Sequence, residues 1–193
     1  YYLTSDAVFS IEPNGNITIV SGNVVLGKDW RTLPGQTVTV AKDASFTVPM
    51  GKNYQIYGTA VVEGKLAVEG TIELMSTAAS LKATEGLNVI TNVADHVVKC
   101  EKGTYTIMEQ IKVTITVENK TMVAGNKLPA FTFQADPAVE GLELEFTCDT
   151  NGSSVGSFPI TAKVIKPTDK KYVYTINDGE LTVEEALVRA YAV

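Results

Sequence analysis

The stretch GTAVVEGKLAVEGTIELM, residues 58–75, divides into three six-residue units, GTAVVE, GKLAVE and GTIELM. Apolar residues hold the even positions in each: Ala60 and Val62, Leu66 and Val68, Ile72 and Leu74. The same parity reaches upstream through Val38, Val40, Ala44, Phe46, Val48, Tyr54 and Ile56, while most odd positions carry Thr, Ser, Asn, Gln or Glu. One side of an extended chain therefore faces a core from 38 to 74. A single strand over that span would be on the order of 120 Å long at ~3.3 Å per residue, several times a normal strand. The chain must bend repeatedly and keep its parity.

Two architectures compete. A hairpin meander turning at Glu63-Gly64 and Glu69-Gly70 opposes Val62 to Lys65 and Leu66 to Glu73, which mixes apolar and charged residues on each sheet face. Winding onward in one sense, with a bend at each glycine, makes Ala60, Leu66 and Ile72 equivalent inward positions, and likewise Val62, Val68 and Leu74. Winding sorts the side chains and the meander does not, so the pattern predicts a short right-handed parallel β-solenoid. Upstream of the hexads the inward pairs Val38/Val40, Phe46/Val48 and Tyr54/Ile56 are spaced by eight, with longer corners at AKDAS and PMGKN. AVFSI (7–11) and NITIV (16–20) carry an inward parity that is odd, which places a register shift in the loop GKDWRTLPG, 27–35. After Met75 the pattern loosens through GLNVITNV and HVVKC, as expected of irregular caps over the last coils.

Around 103–112 the character changes. VTITVEN, a loop with KLPAF, LELEFTC, SFPITAKVI, YVYTI and ELTV read as five or six strands joined by Asn, Gly, Pro and Asp turns. This predicts a small β-sandwich or β-grasp-like module, so the expected division is 1–110 for the solenoid with its caps and 111–193 for the module. LTVEEALVRAYAV changes again: Thr182 and Glu185 have capping-box spacing, which suggests a short closing helix or the entry to a further domain.

Composition bounds function. The chain has 193 residues, 45% of them hydrophobic and 20% charged, ordinary values for a folded all-β protein. A net charge of -6 with no Lys/Arg stripe argues against nucleic acid as a partner. No apolar run is long enough for a helical membrane span, and YYLTSDAVFS has no charged-then-apolar export signal. Cys100 and Cys148 match no zinc spacing. They either bridge the two halves or stand as two buried free thiols.

Little in the sequence points to chemistry. His96 is the only histidine, and in a strand its neighbour Asp95 points to the opposite face, which spoils a catalytic pairing. Asp149-Thr150-Asn151-Gly152 starts like a calcium loop but lacks the later ligands, so a turn is expected. Glu63, Glu69 and Glu73 face outward, with Glu63 and Glu69 on successive sides of a three-sided coil and not stacked as a carboxylate pair. No catalytic, cofactor or metal residues are assigned. Sugar stacking is the more serious candidate: Trp30, placed in an exposed loop, and Tyr57 are the candidate glycan contacts. Tyr54 shares the inward parity and belongs to the core. Tyr1, Tyr2, Tyr172, Tyr174 and Tyr191 are expected to pack on strands.

The carboxy-terminal half resembles the MBG (YGX-type) module of bacterial secreted and surface proteins. The resemblance rests on VTITVENKTMVAGNKLPAFTF, SSVGSFPITA and KKYVYTINDGELTV. Pro129-Ala130-Phe131-Thr132 and Gly179-Glu180-Leu181-Thr182-Val183 fit the family pattern, while Ala124-Gly125 replaces its Tyr-Gly, Phe158 a Tyr, and Lys171-Tyr172 its Asn-Tyr. The amino-terminal half is similar to the Thr/Val/Gly-rich β-helical segments that accompany such modules. The resemblance implies a non-enzymatic structural or adhesive protein at the cell surface or outside the cell, acting as a stalk or platform towards a surface protein or a glycan. The alternative is a carbohydrate-binding, or less readily a polysaccharide-degrading, β-helix protein.

Overall fold

The computed structural model describes residues 3–187. The chain divides between Gln110 and Ile111 into two compact units. All regular elements among the described residues are strands.

In the first unit β1 (Leu3–Ser5) and β2 (Val8–Ile11) precede the long β3 (Ile17–Leu26), followed by the short β4 (Trp30–Thr32). Then come β5 (Thr37–Val40), β6 (Ala44–Val48), β7 (Asn53–Ile56), β8 (Thr59–Val62), β9 (Lys65–Val68) and β10 (Thr71–Leu74). β11 (Ser80–Lys82), β12 (Val89–Ile90), β13 (His96–Glu101) and β14 (Thr104–Glu109) complete it. From β5 to β8, each strand pairs in parallel with the strand three places later: β5 with β8, β6 with β9, β7 with β10, β8 with β11. Val62 lies beside Val40 and Lys65 beside Ser45, in parallel ladders, so no hairpin joins β8 to β9.

The even-numbered side chains close the interior. Val38, Val40, Phe46, Val48, Tyr54, Ile56, Ala60, Ile72 and Leu74 are all buried, with Val62, Leu66 and Val68 packed against them. The offset between stacked partners shrinks from 22 residues (Val38 to Ala60) through 20 (Phe46 to Leu66) to 18 (Tyr54 to Ile72), because four-residue corners give way to two-residue ones. Each short corner nests on a long one. A Cβ at Gly58, Gly64 or Gly70 would fall well inside 3.0 Å of two carbonyl oxygens of the corner beneath: Leu33 and Gln36, Ala41 and Ala44, Pro49 and Lys52. These glycines are required by close backbone approach.

The amino-terminal end departs from the expected reading in two ways. The parity switch lies inside β3, at Gly22, whose φ of +88° absorbs one residue in a left-handed bend, and not in 27–35. Ile19 is buried before the bend, Val24 and Leu26 after it. β2 does not join the parallel ladders: it folds back antiparallel over β3, which leaves Phe9 and Ile11 37% and 70% exposed despite their alternation. At the other end β14 runs antiparallel to β11, and buried Tyr105 closes the interior. Its hydroxyl donates to Thr84 O (2.7 Å) and accepts from Leu87 N–H (3.0 Å).

The second unit contains β15 (Ile111–Val117), β16 (Lys120–Val123), β17 (Phe133–Asp136), β18 (Glu143–Cys148), β19 (Gly156–Lys166), β20 (Tyr172–Asn177) and β21 (Gly179–Glu184). β17, β15 and β20 form one sheet, and β16, β21, β19 and β18 another. Val117, Met122, Ile160, Leu181 and Val183 are buried together, with Phe131, Phe146, Phe158 and Ile176 against them. This is the two-sheet alternative; the helix that a β-grasp needs is absent among the described residues. Thr182 is in β21, paired with Thr121 and Ser157, and so cannot cap a helix. The rest of the expected helix, from 188 on, lies outside the described residues, as do Tyr1, Tyr2 and Tyr191.

Candidate functional site

A recess in the first unit lies at its amino-terminal end. Of its three ladders, two are covered there by antiparallel strands: β2 pairs with the first half of β3 and β1 with the second. The third ladder runs β12-β10-β7-β4, and β4 is its last strand among the described residues. Trp30 is half-buried in this last strand, with no further described strand of its ladder beyond it. Its ring lies 5.5 Å from Tyr54 at 13° and 6.1 Å from Phe46 at 38°, and Phe46 and Tyr54 are 5.2 Å apart. Beneath it Thr32 Oγ1 and Tyr54 Oη share a buried 2.5 Å hydrogen bond. Burial pushes the Tyr54 phenol well above the ordinary tyrosine range, against the opposing effect of that bond, so the hydroxyl stays protonated.

A cleft of about 430 Å³ opens beside this stack, lined by Ile17, Asp29, Trp30, Arg31, Leu33 and Gln36. Gln36 holds its corner by donating Nε2–H to Gly15 O (2.7 Å) and accepting Leu33 N–H at Oε1 (2.9 Å). Asp29 Oδ1 accepts Asn53 N–H at 2.8 Å, which fixes the entry to β4. The cleft thus offers an aromatic surface, two apolar walls, and one acid and one base two residues apart. Its chemistry is that of stacking, ion pairing and main-chain hydrogen bonding.

Trp30 is a half-buried member of a strand, not of an exposed loop; three residues are too few to show alternation. Tyr57 follows β7 at the corner, gives its N–H to Thr32 O (2.9 Å) and is not among the cleft residues. The two candidate glycan contacts are therefore not brought to one recess. Asp29, Arg31, Leu33, Gln36 and Ile17 were missed, and only the adjacency of the first four to Trp30 in sequence signals them.

His96 opens β13 with Nδ1 2.7 Å from Ala94 O, and Asp95 adopts a left-handed bend at φ 59°. Cys100 and Cys148 are free thiols, and Cys100 is exposed, which corrects its expected burial. The 149–152 segment is a turn: Gly152 has φ +81°, and Asn151 Oδ1 accepts Ser153 N–H at 3.0 Å. Glu73 has the outward parity yet is 6% exposed, because Asn92 Nδ2 (2.5 Å) and Asn53 Nδ2 (3.1 Å) both donate to it.

Among known families, the MBG domain (YGX type) matches residues 113–182, from the third residue of β15 into β21. No curated protein and no solved structure matches the chain.

Proposed function

We propose that this protein is a non-enzymatic structural or adhesive component of the cell surface, in which the first unit is a β-solenoid platform and the second an MBG-type module. The observation that carries the reading is the parallel stacking of β5 on β8, β6 on β9 and β7 on β10 around a continuous apolar interior. Such stacking makes a stiff body whose ends and corners present contacts. The MBG match supports the surface setting, since modules of that kind occur in bacterial surface proteins. The cleft at Trp30 fits binding better than bond making, because it presents an aromatic face and paired charges without a nucleophile beside a base.

Carbohydrate binding is the second reading, favoured by the half-buried Trp30 ring that lines the cleft. A glycan array probed with the wild type and with Trp30→Ala separates the two. The platform reading expects no sugar whose binding is saturable and lost in the variant; such a sugar would transfer the function to the cleft. Antibody labelling of intact source cells tests the location, and a signal only after lysis would overturn it.

A further inference from the structure

The recess at β4 lies where the third ladder ends among the described residues. Thr32 C=O accepts Tyr57 N–H at 2.9 Å, so Thr32, and with it Trp30 two residues earlier, turns its main chain towards β7. Alternate residues of a strand bond to opposite sides. Arg31 therefore directs its N–H and C=O away from β7, towards the side on which no described strand lies, and Asp29 stands just before it at the strand's entry. On the other two ladders that same layer is filled by β1 and β2, each one strand deep and each antiparallel to β3. A folded domain or a second copy of this end would meet β1 and β2 before reaching β4; a lone strand would not.

We propose that β4 takes up an extended peptide segment of a partner protein as an antiparallel strand, and that Asp29 and Arg31 select its sequence. The residue opposite Trp30 shares its inward side of the sheet, next to the indole, and is apolar. The residue opposite Arg31 is acidic and the one opposite Asp29 basic, since opposite charges across a strand pair are favourable and like charges are not. An antiparallel segment meets Arg31 first, so it reads acid–apolar–base from its amino terminus. Main-chain hydrogen bonds supply the affinity and these three side chains the specificity, as in other cases of strand addition to a sheet edge.

Trp30 is the sole tryptophan, so its fluorescence reports this site alone. The blocked peptide Ac-Thr-Glu-Val-Lys-Thr-NH2 is titrated against the reversed-charge Ac-Thr-Lys-Val-Glu-Thr-NH2. The first is expected to shift the emission to shorter wavelength saturably and to bind about tenfold more tightly than the second. In the Arg31→Glu protein, which leaves the Asp29–Asn53 bond in place, the exchange is expected to abolish the preference for the first peptide; the Arg31 side chain is exposed, so the fold is kept. Equal affinities for the two peptides, an order unchanged by the exchange, or no saturable response from either would overturn the proposal. So would a response to an oligosaccharide alone.

Discussion

Gly64→Ala tests the nesting of corners most directly. Gly64 is not in the left-handed region, so alanine meets no backbone strain there, and the shorter list of unfolded conformations would by itself return about 0.4–1 kcal/mol of stability. The new methyl group, however, points at Ala41 O and Ala44 O, both backbone atoms of the corner beneath. Neither can rotate away, and the Ala44 N–H to Ala41 O bond (3.0 Å) ties them into one turn. Relief requires lifting the short corner, which stretches the bonds that Glu63 and Gly64 N–H make to Val40 O at 2.8 and 3.3 Å. Overpacking of this kind costs about 1–3 kcal/mol, here at the upper end, so the net loss is about 2 kcal/mol. In a unit of this size that lowers the melting temperature by roughly 8–16 °C. Thermal unfolding followed by circular dichroism, with Gly58→Ala and Gly70→Ala as replicates of the same geometry, provides the measurement. A Gly64→Ala protein as stable as the wild type, or more so, would refute the stacking of backbone on backbone.

Thr32→Val is expected to cost about 1–2 kcal/mol by orphaning the buried Tyr54 hydroxyl, whereas Thr32→Val with Tyr54→Phe should be close to neutral relative to that loss; urea midpoints of the four proteins complete the cycle. In the second unit, Thr132, Gln134 and Lys120, in that order, hold the Glu118 carboxyl at about 2 against an ordinary 4.5. Because the pKa is depressed, its contribution is complete above about 4.5 and is lost as the pH falls towards about 2. The wild type and Glu118→Gln should therefore converge in urea midpoint across that window, and a carboxyl carbon titrating near 4.5 by NMR would contradict it. Cys100, exposed on β13, should be labelled by iodoacetamide ahead of Cys148, whose thiol burial and then Asp149 push above its ordinary pKa; peptide mapping after short exposure reads the order.

The interior of the first unit was legible because burial on one face imposes a period of two, and the hexads repeat it without interruption. The same periodicity could not reveal direction: Ala7, Phe9 and Ile11 alternate as well as the residues of β5 or β6, yet β2 folds back over β3. It could not locate the parity shift either, since a single left-handed glycine hides within what reads as a continuous strand. Glu73 looked like a solvated outward residue because its cover, Asn92, is 19 positions away and carries no periodic signal. For the same reason Trp30 was recognisable as an aromatic of interest, while the cleft that it lines with Ile17 and Gln36 was not.

The alternation of corner lengths also limits how such a chain can grow by duplication. At one corner a four-residue turn (33–36), the pair Tyr57-Gly58 and a second four-residue turn (76–79) succeed one another, with Ser80 N–H bonded to Gly58 O. Three copied hexads would set a tight bend upon a tight bend, with no recessed turn to receive their glycines. The smallest block that could be repeated in tandem without altering its own joints is therefore the segment 37–79, six strands with the closing turn at 76–79. Although the eye finds a six-residue repeat, the heritable unit of this architecture spans both generations of corner.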